Sequence, residues 1–309
     1  MNNRKWDITK IRLVTIVAIL LFTSIFCQAF AASKLTILVS SESPAYKVVV
    51  RTIHRTLQSD IQIEEYTPAT IDTIPAPPQL LLTVGSAAFK LALEKFPEAP
   101  VIASFLPRRV FEQLLSNSPR SLQNTTAIFI DQSMLRQLTL ARLIAPNGTS
   151  IGTVFGASSI KESQRLHKAA EETGFRIKSV QLNPDDNPVN TLRPVIQETD
   201  IFLAIPDKSA FNRASAKWSL FMTLRGRKPL IGFSEKYVDA GALAAVFSSP
   251  EQIGTHTAEA LDAFITTGSW PKPEHPKYFS VKLNYQSAHT IQIQLPNTDT
   301  LQHHLEGIN

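Results

Sequence analysis

The sequence contains almost no cysteine. Cys27 is the single one among 309 residues, so the chain cannot form an intramolecular disulfide. Its stability therefore has to come from a hydrophobic core, and a chain of this length is long enough to bury one or two.

Long apolar runs are also scarce, and the one near the N-terminus is short. Four basic residues precede or begin the uncharged run 13–26, and the small-x-small pattern Ala29-Phe30-Ala31 follows it. This order predicts a cleavable signal peptide over residues 1–31, cut after Ala31. An uncleaved anchor is the alternative, although a membrane span needs about 20 apolar residues. Because bulky Phe26 directly precedes Cys27, we expect a periplasmic protein without a lipid anchor.

The excess of positive charge belongs largely to this N-terminal segment. Four of the 31 Lys and Arg residues and one of the 26 Asp and Glu residues lie within residues 1–31, so cleavage would lower the formal charge from +5 to +2. No clustered basic run with interleaved aromatic residues follows, and nucleic acid is therefore not an expected partner.

Common catalytic and nucleotide-binding motifs are missing. There is no G-x-G-x-x-G, no P-loop, no G-x-S-x-G elbow and no H-E-x-x-H, and Gly152 and Gly156 lack the further residues of a phosphate cradle. We accordingly expect a protein without enzymatic activity, cofactor or metal.

What the sequence has in abundance is short apolar runs alternating with helical patterns. Several runs are continuously apolar, as in parallel strands that are covered on both faces. The candidate strands are Leu35–Val39, Ile61–Tyr66, Leu80–Val84, Val101–Phe105, Thr126–Ile130, Ser150–Phe155, Arg176–Leu182, Ile201–Ile205, Pro229–Phe233, Ala242–Phe247 and Phe279–Leu283.

This alternation predicts an α/β fold with parallel sheets. Eleven strands would be many for one open sheet, so two lobes are expected with the seam near Asp131. We predict an N-terminal lobe over residues 32–131, joined by helix 249–267, and a C-terminal lobe over residues 132–248 and 278–296. Residues 297–309 read as a polar tail.

Several helix ends and faces can be predicted as well. Ser159 with Glu162 and Ser249 with Gln252 have the spacing of capping boxes, and Gly174 and Gly268 are suited to left-handed helix ends. In the helix predicted after Asp207, the apolar spacing indicates a buried face formed by Phe211, Ala214, Trp218 and Phe221.

The C-terminal third carries recognisable blocks. They are the strand and turn Ile201–Asp207, the run Lys228–Ala245 with its P-L-I-G-F-S-E-K-Y-V-D-A-G-A-L-A pattern, and Val281–Ala288, while Leu81–Ala87 matches a V-G-S-x-A block earlier in the chain. Together they resemble the ABC-transporter substrate-binding family typified by tryptophan-binding lipoproteins, over about residues 79–296. The resemblance implies the type I periplasmic-binding-protein architecture, two Rossmann-like lobes with a ligand cleft between them.

By the same resemblance we expect a monomer that binds a small, amino-acid-like solute by hinge closure and delivers it to an ABC permease in the inner membrane. A periplasmic sensory or scaffolding protein of the same fold, acting on a membrane receptor without transport, is the alternative.

Ligands of open α/β sheets bind at the carboxyl ends of strands, where helix N-termini offer free N–H groups. The candidate ligand-binding residues at such positions are Ser41, Glu42, Ser86, Phe105, Asp131, Ser158, Asp207, Ser234 and Glu235. Each has a plainer alternative: helix capping for Asp131 and Asp207, core packing for Phe105, and a solvated helix surface for Glu235.

Overall fold

In a computed structural model of the chain, residues 34–119, 122–183, 185–208 and 210–308 are described. The signal peptide and cleavage site predicted over residues 1–31 lie outside this part. Within it, no helix is both long enough and apolar enough to cross a membrane.

The first half of the chain forms a five-stranded parallel sheet. Its strands are β1 (Lys34–Val39), β2 (Gln62–Tyr66), β3 (Leu80–Val84), β4 (Val101–Leu106) and β5 (Thr125–Phe129), in the order β2-β1-β3-β4-β5. The helices of this half are α1 (Pro44–Thr56), α2 (Ser86–Lys95) and α3 (Arg108–Ser116). Strands β3 and β5 are buried along their whole length, as their continuous apolar runs require.

The second half forms a six-stranded sheet. Its strands are β6 (Ser150–Phe155), β7 (Arg176–Gln181), β8 (Ile201–Leu203), β9 (Leu230–Gly232), β10 (Ala244–Phe247) and β11 (Ser280–Leu283), in the order β11-β10-β9-β8-β6-β7. All neighbours are parallel except β10 and β11. The predicted α/β class with two mostly parallel sheets is thereby confirmed.

The remaining helices are α4 (Met134–Ile144), α5 (Glu162–Thr173), α6 (Pro188–Glu198), α7 (Arg213–Arg225), α8 (Glu235–Asp239), α9 (Pro250–Thr267), α10 (Tyr285–Ile291) and α11 (Thr298–Leu305). Helix α9 packs on α1 and β4 of the first lobe although it follows β10 of the second. The segment after α9 forms a parallel bridge between Glu274 and Ile128 of β5, and then enters β11. The chain therefore passes between the lobes three times: the first crossing lies between β5 and α4, the second between β10 and α9, and the third between α9 and β11.

The buried face of α7 differs from the prediction. Phe221 is 57% exposed and Ala214 is also exposed, while Ser215, Ser219 and Thr223 are buried. The hydroxyl of each buried residue donates to a carbonyl of its own helix or of the preceding turn. Burial therefore leaves none of these three hydroxyls unpaired, and the small side chains form the inner face of α7.

Two further predictions about helix ends and the tail need correction. Helix α5 begins at Glu162, and Ser159 instead accepts a bond from the Gly156 backbone N–H within the preceding turn. The predicted polar tail contains α11, which buries Leu301 and Leu305 in the second core. In contrast, the capping box of Ser249 with Gln252 and the left-handed ends at Gly174 and Gly268 are confirmed.

Candidate functional site

A cavity of about 340 Å³ lies where the carboxyl ends of strands from the two sheets face each other. The first lobe contributes the segments after β4 and β5, and the second contributes those after β8, β9 and β10. Its apolar walls are Pro107, Ile130, Pro206, Phe233, Val246 and Phe247, and its polar lining is Arg109, Asp131, Gln132, Gln137, Ser234 and Ser248. Among the described cavities we select this one because both lobes line it at the strand ends.

Two opposite charges from the first lobe line the cavity. Asp131 directly follows β5, its side chain is 22% exposed, and one carboxylate oxygen accepts the Arg108 backbone N–H at 2.8 Å. Burial raises the pKa of Asp131, against the opposing effect of nearby Arg109 and Arg108. Arg109 is half-buried in the first turn of α3, and within the described residues its side chain has no ion pair.

A buried acceptor completes the polar lining. Gln137 of α4 is 4% exposed and donates from its side-chain N–H to the Gln132 backbone carbonyl at 3.2 Å. Its Oε1 has no hydrogen-bond partner in the described structure. An unpaired buried acceptor costs free energy.

One of the side chains that line the cavity, Gln132, also connects the crossings between the lobes. Gln132 donates to Ser248 Oγ at 2.8 Å and accepts a bond from the Arg136 guanidinium. Arg136 also donates to the Pro276 carbonyl at 3.0 Å and lies 4.3 Å above the centre of the Phe279 ring. Burial lowers the pKa of Arg136 to about 10.

A histidine supports Asp131 from the third crossing. His275 donates from Nδ1 to the Asp131 carbonyl at 2.7 Å, and Arg108 approaches its Nε2 at 3.5 Å. Burial lowers the pKa of His275 to about 4, so the ring is neutral near pH 7. A neutral ring with its proton on Nδ1 satisfies both contacts.

Ion pairs bridge the lobes beside this site. Arg165 of α5 donates to both carboxylate oxygens of Glu112 in α3, each at 2.7 Å, and Arg165 also binds Glu162. Burial alone would raise the pKa of Glu112, but its bonds to Arg108 and Arg165 hold it below its ordinary value. In the described arrangement the two lobes are thus connected by side chains as well as by the backbone.

The structure brings two of the predicted ligand-binding residues into this cavity, Asp131 and Ser234. The Ser234 side chain caps α8 by accepting the Tyr237 backbone N–H. Asp131 does not cap α4, which Ser133 caps; its carboxylate instead accepts the backbone N–H of Arg108 at the start of α3.

The other predicted residues lie outside the cavity lining. Phe105 has a positive φ of 58° at the end of β4 and packs edge-on against Tyr46. Ser86 is the first residue of α2, and the Ser40 hydroxyl accepts the backbone N–H of Ala88 in the first turn of that helix. Ser158 donates to buried Asp207 at 2.8 Å on the second lobe.

Three more belong to other surroundings. Ser41 and Glu42 line a separate cavity of about 620 Å³ at the β1 and β2 edge of the first lobe, where Glu42 pairs with Lys47. Glu235 is exposed and pairs with Lys282 at 2.9 Å. The described residues contain no group of three or more His, Cys, Asp or Glu that could hold a metal.

Sequence reasoning missed Arg109, Gln132, Gln137, Phe247 and Ser248. Arg109 lies three residues beyond the end of β4, and Gln137 is the fourth residue of α4, so a rule that selects the residue after each strand does not reach them. The sequence signal that could have led to the two glutamines is Asp131, because Gln132 follows it directly and Gln137 lies six residues after Asp131 along the chain.

Comparison with known proteins agrees with this architecture. The family model described as ABC transporter substrate binding protein matches residues 69–301. No curated protein matches the sequence.

Solved structures cover most of the chain at low identity. A ligand-free, open substrate-binding protein with adhesive properties from Clostridium difficile is 16% identical, covers 86% of this chain and 97% of its own, and has a TM-score of 0.68. An ABC domain in complex with L-Trp from Streptococcus pneumoniae is 14% identical, covers 88% and 99%, and has a TM-score of 0.59. A conserved domain protein from Vibrio cholerae is 18% identical, covers 88% and 98%, and has the same TM-score. At such identities these structures show the fold, and the family match spans most of the sequence. The chain belongs to the ABC transporter substrate-binding protein family.

Proposed function

We propose that the protein is the periplasmic solute-binding component of an ABC-type uptake system and holds an amino-acid-like solute in the interlobe cavity. The observation that carries this proposal is that Arg109, which has no ion pair within the described residues, and the carboxyl group of Asp131 line the same cavity, whose remaining walls are largely apolar. Family membership supports the solute-binding role, and the residues argue for the solute class.

A zwitterion matches this lining. The guanidinium of Arg109 suits a ligand carboxylate, because charge-assisted bonds between arginine and carboxylates are strong and directional. An ammonium group near Asp131 would offset the burial that raises the pKa of this carboxyl. The Oε1 of Gln137 supplies a further acceptor for an N–H group.

The size and walls of the cavity limit the rest of the solute. About 340 Å³ is at the small end of ligand pockets, which favours a single small solute over a long peptide. Phe233, Phe247 and Pro206 suit an apolar or aromatic side chain. The pneumococcal structure of the same fold holds L-Trp, which is consistent with that choice.

Hinge closure is the proposed mechanism. The first lobe supplies Arg109 and Asp131, while the second supplies Phe233, Ser234 and Phe247, so a solute touching both sets favours the closed arrangement by its differential affinity. We further propose cleavage after Ala31, a free monomer in the periplasm, and delivery to an inner-membrane permease.

The test is a binding screen with matched analogues. Thermal shift and calorimetry are run with L-amino acids, with their amides, which lack the carboxylate, and with the corresponding amines and N-acetyl derivatives. The wild type should prefer the free zwitterion. Arg109→Gln should remove the preference over the amide, and Asp131→Asn should remove the preference over the N-acetyl form.

The matched control is Arg176→Gln, an exposed arginine remote from the cavity, which should leave both preferences unchanged. If no amino acid shifts the melting temperature, the proposal fails. In that case a membrane receptor retained equally with and without solute would favour the sensory or scaffolding alternative.

A further inference from the structure

A long basic segment without acidic residues lies in the second lobe. Between Asp207 and Glu235 the sequence has six Lys or Arg residues and no Asp or Glu. The six residues are spread from position 208 to position 228, so they do not form the clustered basic run that is typical of nucleic-acid binders. Helix α7 occupies the centre of this segment.

The exposed residues of α7 form one continuous stripe. At about 100° per residue, an arc of about 120° contains all six of them. We name this set the α7 stripe: Arg213, Ala214, Lys217, Phe221, Leu224 and Arg225. It combines three cations with apolar side chains, of which Phe221 is 57% and Leu224 is 37% exposed.

No described side chain neutralises the charges of the α7 stripe. Within the described residues, the side chains of Arg213, Lys217 and Arg225 have no hydrogen bond or ion pair. The acidic residues of the following helix α8, Glu235 and Asp239, are both paired with Lys282.

Neighbouring elements extend the same character. Helix α10 packs beside α7 and exposes 61% of Tyr285, and neither α7 nor α10 contains an acidic residue. On the other flank, Arg193 of α6 lies 5.5 Å above the Trp218 ring. The exposed surface is therefore cationic and aromatic, with its own counter-charges absent from both helices.

We propose that the α7 stripe docks on an anionic phospholipid bilayer. A helix face of Lys and Arg interleaved with Phe and Leu is the composition of interfacial helices, because the cations are attracted to lipid phosphates while the apolar side chains enter the boundary of the acyl region. No residue of the α7 stripe lines the interlobe cavity, so lipid docking and solute binding occupy different surfaces.

The experiment measures binding of the full chain to vesicles of phosphatidylglycerol mixed with phosphatidylcholine, against phosphatidylcholine alone. The triple variant Arg213→Gln, Lys217→Gln, Arg225→Gln should lose the preference for anionic vesicles by about a hundredfold, or about fivefold per charge. Phe221→Ser should weaken binding to the same vesicles while keeping the salt dependence of the wild type. The matched control, Lys168→Gln, Lys236→Gln, Lys272→Gln, removes the same charge from other exposed positions and should bind as the wild type does.

A local reporter separates the α7 stripe from the N-terminal apolar run, which all variants share. An environment-sensitive dye on Leu224→Cys, in a chain carrying Cys27→Ser, should brighten and shift to the blue only with anionic vesicles. Equal binding by the stripe and control triples, or an unresponsive dye, overturns the proposal. So does a stripe-dependent dimer in sedimentation, or stripe-dependent capture by an acidic membrane protein without vesicle binding. The triple variant of the α7 stripe should bind solute with the affinity of the wild type. Failure of the lipid-docking proposal can therefore be distinguished from failure of the solute-binding proposal.

Discussion

The side-chain amide of Gln132 donates a 2.8 Å hydrogen bond to the hydroxyl of Ser248. This bond joins the first crossing between the lobes to the second. Ser248 in turn donates to the Tyr278 carbonyl of the third crossing. A single glutamine is therefore linked to all three segments about which the lobes can rotate.

Replacing this glutamine should loosen the hinge. Gln132→Met removes both side-chain bonds and deprives the buried Arg136 guanidinium and the half-buried Ser248 hydroxyl of a partner, which should lower the free energy of unfolding by about 1–3 kcal/mol. Chemical denaturation measures the stability, and solution scattering should show a broader distribution of interlobe distances. Gln286→Met, at an exposed position of α10, is the control. An unchanged stability and scattering profile would show that the crossings do not depend on this bond.

Gln137 Oε1 has no hydrogen-bond partner within the described residues, so replacing Gln137 should lower solute affinity more than it lowers the free energy of unfolding. Gln137→Met deletes the unpaired Oε1 but also the bond to the Gln132 carbonyl. These losses and gains should nearly cancel, leaving the free energy of unfolding within about 1 kcal/mol of the wild type. Solute affinity should fall about tenfold, since a buried bond to a charged donor is lost. Calorimetry with the best solute of the screen gives the affinity, and an affinity equal to that of the wild type would exclude a ligand contact for Gln137.

His275 makes stability depend on pH in a defined direction. Its pKa is lowered from 6.5 to about 4, so the unfolded chain binds a proton at a higher pH than the native chain does. The stability supported by the neutral ring is complete above about pH 6.5 and is lost as the pH falls toward 4, by up to about 3 kcal/mol. His275→Asn keeps a donor for the Asp131 carbonyl but does not titrate.

The measurement is the difference in unfolding free energy between the wild type and His275→Asn from pH 7 to pH 4. The wild type should lose its advantage across this window. The raised pKa values of Asp131 and Glu162 act in the opposite sense, and because both carboxyls remain in the variant, comparing the two proteins at each pH limits their contribution. A difference that stays constant with pH for His275→Asn would contradict the assignment.

The sequence was sufficient to predict the buried strands because continuous apolar runs such as Leu80–Val84 indicate burial on both faces. It misassigned α7 because hydroxyl residues look polar, yet Ser215, Ser219 and Thr223 are buried once they bond to backbone carbonyls. Single-residue polarity does not reveal that local bonding, and Phe221 was therefore assigned to the wrong face.

The site was predictable only where it follows strand ends directly. Asp131 continues β5, so the topology of a parallel sheet selects it. Arg109 looks like an ordinary solvated charge at the start of a helix, and only the approach of the second lobe turns its surroundings into a cavity. Pairs such as Ser158 with Asp207 satisfy each other on one lobe, which no strand-end rule can anticipate.

The docking of α9 on the first lobe depends on a close contact at Gly254. A Cβ there would lie 2.9 Å from both the Val49 carbonyl oxygen and the Thr52 Cβ of α1. Gly254→Ala should gain about 1 kcal/mol in helix propensity but force the two helices apart, at a cost of about 1–3 kcal/mol. Because one neighbour is backbone, which cannot move aside as a side chain does, we expect net destabilisation.

Hydrogen exchange should show faster opening of α1 and α9, with the second lobe unaffected. Glu251→Ala, exposed on the same helix, should leave exchange in α1 unchanged, and a stabilised Gly254→Ala protein would contradict the tight contact.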